Sequence, residues 1–319
     1  MATLIGMAEI RAAAANLAGV AVRTPLLPSP WSPTLWLKPE NLQPTGAFKL
    51  RGAYHALAQL PALVRSAGVV THSSGNHGQA VAYAARRFGV PCVVVMPEQA
   101  GPHKIAATRD LGAEVVLVPA ADRLAHTQEI AGQRGMTIVP PFDHPDVIAG
   151  QGTVGLEIAE DLPGLDQLDT VLVPVGGGGL AAGVATAIKD SFPGVRVIGV
   201  EPALAADAQE SLAAGALRQW PVAQTYQTIA DGLRTHLSEL TLAHLLARLD
   251  GIVTVTEEEI LAAVTALLRQ ARLVVEPSGA VAVAAYLGGA GGGRTVAVLS
   301  GGNLDPGLLA SLATGRPAA

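Results

Sequence analysis

Four short segments of this chain carry residues suited to chemistry, each where an apolar run gives way to a polar turn. Gly176-Gly-Gly-Gly179 follows Thr170-Val-Leu-Val-Pro-Val175 and precedes a helical pattern. Four glycines let backbone N–H groups turn toward an anion without side-chain obstruction. The following helix adds the partial positive charge of its N-terminus, so the segment reads as a phosphate cradle. Its spacing is not that of a dinucleotide fingerprint, and no Lys-Ser/Thr pair follows to make a P-loop. Ser73-Ser-Gly-Asn-His-Gly78 offers two hydroxyls, an amide, an imidazole and exposed N–H groups at another helix start. That set suits a carboxylate, and ordinary helix capping explains it equally well. Pro44-Thr-Gly-Ala-Phe-Lys-Leu-Arg-Gly52 places Lys49 among small and apolar neighbours, two residues before Arg51. Burial and a nearby cation both disfavour the ammonium form, and a neutral lysine is what a Schiff base requires. Taken alone, a snorkelling surface lysine is the more ordinary reading. Ser300-Gly-Gly-Asn303 presents a hydroxyl after Thr295-Val-Ala-Val-Leu299, in what alone reads as a glycine-rich turn.

These segments need a frame. Short Val- and Ile-rich runs bounded by Gly or Pro predict strands buried on both faces. They lie at Gly68 to His72, Pro91 to Met96, Glu114 to Val118, Thr137 to Val139, Thr170 to Val175, Val195 to Val200 and Thr295 to Leu299. Helical patterns occupy Gln79 to Phe88, His103 to Leu111, Leu180 to Asp190 and Thr256 to Arg272, the last opening on Glu257-Glu-Glu259, which suits a helix N-terminus. Alternation of this kind predicts an α/β fold, mainly parallel, with helices on both faces. Ligands in such folds bind at the carboxyl ends of strands, where the Gly176, Ser73 and Ser300 segments fall.

At 319 residues, half of them hydrophobic, the chain can bury a core and make two domains. A net charge of -5 without a Lys/Arg-rich run argues against a nucleic-acid partner. The single cysteine, Cys92, excludes an internal disulfide and sits in an apolar run that reads as inert core. Gly279 to Ala290, the longest apolar stretch, is too short for a membrane span and reads as a buried helix. Glu9 and Arg11 interrupt the N-terminal apolar run, so no signal peptide is expected, and a soluble cytoplasmic protein without a membrane partner is the default.

Taken together, and in this order, the four segments resemble the fold-type II pyridoxal-phosphate enzymes, most nearly the serine racemase and serine/threonine dehydratase group. The resemblance runs from about Arg23-Thr-Pro25 to Asn303. It implies a tryptophan synthase beta-like fold of two doubly wound, mainly parallel sheet domains. Residues 39–137 would form a small domain, and 1–38 with 138–319 a large cofactor-binding one. By resemblance Lys49 carries pyridoxal 5'-phosphate as a Schiff base next to Phe48, with Ala47 where the family usually has serine. Gly176, Gly177, Gly178 and Gly179 would hold the phosphate, Asn76 the ring 3-hydroxyl and Ser300 the pyridine nitrogen. Gly232, in Thr228-Ile-Ala-Asp-Gly232, would approach the ring, and Glu276 would lie on the cofactor side.

Ser73, Ser74, Asn76 and His77 would receive the substrate carboxylate, and Ser74 matches the opposite-face acid/base of serine racemases. Glu201, the carbonyl of Ala205 and Asp207 match a divalent-cation site, whose oxygen ligands suit Mg, Mn or Ca. The expected activity is elimination of a β-hydroxyl from serine or threonine, with Lys49 taking the α-proton, to give a 2-oxo acid and ammonia. Serine or aspartate racemisation and 3-hydroxyaspartate dehydration share the motif set. A non-catalytic phosphate-ligand sensor is the alternative of another class. The resemblance also implies a homodimer or homotetramer. Because the sequence ends soon after Ser300, no C-terminal regulatory domain is expected.

Overall fold

The computed structural model describes residues 3–73, 75–162 and 168–314. Its strands are β1 (Leu27–Pro28), β2 (Leu35–Pro39), β3 (Val69–His72), β4 (Cys92–Pro97), β5 (Glu114–Val118), β6 (Thr137–Ile138), β7 (Leu168–Pro174), β8 (Arg196–Pro202), β9 (Gly251–Val255) and β10 (Arg294–Leu299). Two sheets result. One is six-stranded in the order β1-β2-β10-β7-β8-β9, parallel except for the β1–β2 pair, and the other is four-stranded and parallel in the order β5-β4-β3-β6. Helices cover both, as crossovers between parallel strands require. The expected α/β fold with two parallel sheets is what forms.

Each sheet contains a point where the chain reverses its direction of travel. In the larger sheet β7 is followed outward by β8 and β9, and β10 then returns to β7's other side. In the smaller, β3 leads outward to β4 and β5, and β6 returns beside β3. The loops after β7 and β10, and after β3 and β6, diverge at these points and leave a crevice between them.

Every predicted strand is present within a residue or two, and three further strands and several helices, the longest of them Pro145–Asp161, were not predicted. In β2 Lys38 interrupts the apolar run, and β9 is an edge strand with only Ile252 and Val255 buried. The helix Pro145–Asp161 shows no polar stripe because Val147 to Ala159 are all buried, and a helix buried all round has no amphipathic signature. The pattern from Thr256 divides into a regular helix Glu257–Ala266, capped reciprocally by Thr256 and Glu259, and a π turn Leu267–Ala271 ended by Arg272 at φ 62°. Cys92 is buried in β4. Val281 and its neighbours in the helix Pro277–Leu287 are core, as expected. Among the described residues no helix is long and apolar enough to cross a membrane.

A buried charge cluster ties these elements together. Arg51, 1% exposed, donates to Glu40 at 2.7 and 2.9 Å and to Glu157 at 2.7 and 2.9 Å, two fork-like pairs on one guanidinium. Lys38 Nζ reaches the same Glu157 carboxylate at 2.6 Å and the Thr24 carbonyl at 2.6 Å, while Thr24 Oγ1 donates to Glu40 at 2.7 Å. Burial pushes the Glu40 carboxyl up, but the Arg51 charge and hydrogen bonds more than offset it and hold the group below its ordinary range. Removing one member leaves buried charge unbalanced. Arg51→Met is expected to cost about 3–5 kcal/mol of stability, read as a lower urea midpoint at unchanged slope; a change within about 0.5 kcal/mol would show the cluster to be inessential.

Candidate active site

The four segments singled out in the sequence converge at the crevice. Ser73 follows β3, Val139 to Phe142 follow β6, Gly176 follows β7 and Ser300 follows β10. The Lys49 and Ser300 segments, 251 positions apart, are joined directly. Phe48 N donates to the Ser300 carbonyl at 3.0 Å, Gly302 N to the Gly46 carbonyl at 2.8 Å, and Ala47 and Gly301 form an antiparallel bridge.

Lys49 opens the helix Lys49–Gln59. Its amine donates to the Pro141 carbonyl at 2.8 Å and lies 5.1 Å from the Phe48 ring centroid. Burial brings its pKa down to about 8. The expected help from Arg51 does not materialise: that guanidinium points to the other side of the helix, into Glu40 and Glu157, which neutralise it. Desolvation is the one cause of the shift.

The glycine loop leads straight into the helix Gly179–Ser191. Gly178 stands at φ 85°, which L side chains rarely adopt. A Cβ on Gly177 would collide with the ring of Phe142, and one on Gly179 would press on the same residue. Phe142 is therefore the wall of this cradle, a role that no local signal in the sequence announced. Gly232 backs the loop from the other side: a Cβ on Gly176 would meet the Gly232 carbonyl at 3.1 Å. Gly232 N donates to Ser278 Oγ at 2.8 Å.

At the second helix start Ser73 Oγ accepts from Gly75 N at 3.2 Å and so shapes the turn. Ser74 lies outside the described residues. His77 is 3% exposed and its Nε2–H donates to the Val139 carbonyl at 3.0 Å. Burial, with the Lys49 charge, lowers its pKa to about 3, so the ring is neutral. Its remaining nitrogen, Nδ1, has no partner among the described residues and can only accept. The ring thus has no N–H to spare for a carboxylate.

Asn76 Nδ2 donates to Glu276 Oε1 at 2.5 Å, and Asn76 Oδ1 accepts from Asn303 Nδ2 at 2.7 Å. Glu276 is buried, and burial, then the neighbouring Asp231 charge, pushes its carboxyl up to about 7. Ser300, 4% exposed, donates to the Ser278 carbonyl at 3.3 Å. Lys104, in the helix after β4, bonds Asp231 at 2.6 Å and so links the two sheets' loops across the crevice. Asn303, Pro141, Phe142 and Lys104 were not among the predicted site residues, because their roles depend on partners remote in sequence.

The predicted metal residues lie together at the end of β8 and just beyond it. Glu201 accepts from Ala208 N at 3.1 Å and Gln209 N at 2.7 Å, capping the helix Asp207–Ala214. Asp207 Oδ2 meets His236 Nδ1 at 3.2 Å, while its buried Oδ1 has no partner among the described residues. Ala205 is buried in the turn between them. Burial raises both carboxyls, that of Glu201 strongly. The orphaned Asp207 oxygen is the one feature here that a hard cation would satisfy, since both Glu201 oxygens already accept main-chain N–H groups. No group of three or more His, Cys, Asp or Glu side chains arranged for a metal occurs among the described residues.

The crevice offers a buried amine of lowered pKa, a glycine cradle at a helix start, a neutral hydroxyl and a fixed amide. That donor set fits pyridoxal phosphate. Only the neutral amine can add to an aldehyde, so the pH profile is set by Lys49. Covalent capture of pyridoxal phosphate by cofactor-free protein, read by absorbance and borohydride reduction, is expected to accelerate about tenfold per pH unit on the acid side and to level off above about 8. A rate still climbing toward pH 10.5, the ordinary lysine value, would contradict the desolvated amine.

Residues 17–301 match the family of pyridoxal-phosphate dependent enzymes. The chain is 47% identical over 277 residues to an L-threonine ammonia-lyase of Geobacter sulfurreducens, covering 85% of this chain and 67% of that protein. It is 40% identical to an L-threo-3-hydroxyaspartate ammonia-lyase of Saccharomyces cerevisiae, covering 88% and 86%. The solved structure of maize serine racemase superposes with a TM-score of 0.91 at 34% identity, covering 98% of each chain. With the fold, the buried lysine and the glycine cradle in agreement, the chain belongs to the pyridoxal-phosphate dependent enzyme family.

Proposed function

We propose that this protein is an ammonia-lyase that removes the β-hydroxyl of a small hydroxy amino acid, threonine or serine, to give a 2-oxo acid and ammonia. The observation that carries the reading is the desolvated Lys49 amine, bonded to the Pro141 carbonyl beside Phe142, the wall of the glycine cradle, and near enough to His77 for its charge to act there. Pyridoxal phosphate, when bound, supplies the electron sink that acidifies the α-carbon. The glycine loop and the helix start at Gly179 hold its phosphate. Asn76 and Ser300 hold the two polar edges of the ring, and Glu276 and Gly232 flank it. Backbone N–H groups from Ser73 to His77 hold the substrate carboxylate. Lys49 Nζ, once free, removes the α-proton. Ser300 is a neutral hydroxyl and cannot enforce a protonated ring as a carboxylate would. Charge is therefore delocalised less fully, which favours prompt loss of the β-hydroxyl. Ser74 is assigned protonation of the opposite face, which makes racemisation a side reaction. Residues 39–137 act as the small domain that closes over the crevice, and water exclusion follows from that closure.

The same substrates test the reading and its neighbours. Incubation of the holoenzyme with L-threonine, L-serine, D-serine and both 3-hydroxyaspartate diastereomers, with 2-oxo acid, ammonia and enantiomer ratio measured, is expected to show 2-oxo acid from an L-substrate. Lys49→Ala should lower that rate by about 10²–10⁴-fold. No 2-oxo acid from any of them would overturn the assignment.

Glu201, Asp207 and the Ala205 carbonyl are proposed to hold a divalent cation. A chelator should lower the melting temperature and added Mg²⁺ restore it, and Asp207→Ala should abolish both responses. A melting temperature indifferent to chelation in the unaltered protein would remove the cation from the proposal.

A further inference from the structure

Asn303 closes the Ser300 segment and takes no part in the site as proposed, yet it makes the two bonds that determine how Asn76 faces. Its Nδ2 donates to the Thr45 carbonyl at 2.9 Å and to Asn76 Oδ1 at 2.7 Å. A main-chain carbonyl is an acceptor only, so the end of the Asn303 amide that meets Thr45 must be the NH₂ group. The same NH₂ group then demands an acceptor from Asn76, which fixes the oxygen of Asn76 toward Asn303 and its nitrogen toward Glu276 Oε1, at 2.5 Å. Asn76 Nδ2 carries two hydrogens. One is taken by Glu276, and the second is left for an acceptor in the crevice.

The backbone is cleared around this chain of bonds. A Cβ on Gly46, which stands at φ 70°, would come within 2.6 Å of Asn303 Oδ1, and one on Gly301 would collide with Glu276 Oε1. The segment carrying Asn303 is stitched to the segment carrying Lys49 through Gly302 N and the Gly46 carbonyl at 2.8 Å. The relay therefore starts from a main-chain atom four residues before Lys49 and ends on the side chain that faces the ring.

We propose that Asn303 is a positioning residue: it locks the Asn76 amide with its N–H toward the cofactor, and so sets the electronic state of the bound pyridoxal ring. The inference rests on the proposed role of Asn76 and adds to it the residue that enforces its orientation. Asn303→Asp keeps the shape and sets a carboxylate oxygen against two carbonyl oxygens. Asn76 is then driven to turn over, donating to residue 303 and presenting its oxygen to the ring.

The test uses holoenzyme saturated with pyridoxal phosphate. It reads the ratio of visible to near-ultraviolet absorbance of the bound cofactor, its dissociation constant and the melting temperature, for Asn303→Asp, Asn303→Ala and Asn76→Ala. The expected result is that both Asn303 variants shift the absorbance ratio in the direction that Asn76→Ala shifts it. Cofactor binding should weaken about five- to tenfold, the loss of one net hydrogen bond. Should Asn303→Asp fail to fold, Asn303→Ser, which retains one donor, should give a smaller shift of the same sign. If Asn76→Ala shifts the ratio and the Asn303 variants change only the melting temperature, Asn303 is merely structural and the inference fails alone. If Asn76→Ala leaves the ratio unchanged, the reading of Asn76 falls and the inference with it.

Discussion

One guanidinium fixes the geometry on which the rest depends. Arg51 is buried between Glu40 and Glu157, and Lys38 shares the second carboxylate. These four residues come from β2, the turn after it, the Lys49–Gln59 helix and the long Pro145–Asp161 helix. An apolar contact of the same area would hold the helix with some freedom to rotate or slide. Two fork-like pairs do not allow that, because their bonds are directional and every oxygen left behind would be buried. Lys49 lies two residues away on the same first turn, so its amine inherits the helix's fixed azimuth. A charged cluster that a stability argument alone would replace with hydrocarbon is thus the reference frame of the crevice.

From that frame the chemistry is tuned mainly by burial. The Lys49 amine is depressed to about 8, the His77 imidazole to about 3, and the Glu276 carboxyl is raised to about 7, and in each case loss of water is the largest cause. His77 is therefore neutral near neutral pH, while Lys49 and Glu276 titrate within about a unit of it, and all three remain strong hydrogen-bonding partners. Charge is concentrated instead at the rim, where Lys104 and Asp231 bridge the crevice. A weakly charged interior lets a helix N-terminus and main-chain N–H groups dominate the field that an anionic cofactor and substrate would meet.

Both sheets contribute their reversal points, and the meeting of the two makes one site from loops that are far apart in sequence. The loops after β3 and β6 face those after β7 and β10, and the direct bonds between Phe48 and Ser300, Asn76 and Glu276, and Asn76 and Asn303 close the set.

Much of this was legible in the residues. The glycine run after Val175, the hydroxyls after His72 and Leu299 and the Val-rich strands are local patterns, and local backbone preference and burial suffice to read them. The family resemblance raised Lys49 from a plausible surface residue to the central amine. What stayed hidden depended on contacts across the chain. Phe142 behind Gly177, Pro141 above Lys49 and Asn303 behind Asn76 carry no motif of their own, since an aromatic ring, a carbonyl and an amide acquire a role only from what they face. Arg51 shows the limit most plainly. Its nearness to Lys49 in sequence suggested a depressed pKa by repulsion, but helix geometry turns it to the opposite side, into two carboxylates 11 residues before it and 106 after it. Sequence determined which groups were available and, through the resemblance, which lysine is central. Direction, and therefore which charge acts on which, was decided by the tertiary structure, because electrostatic and hydrogen-bond energies depend on distance and orientation in space.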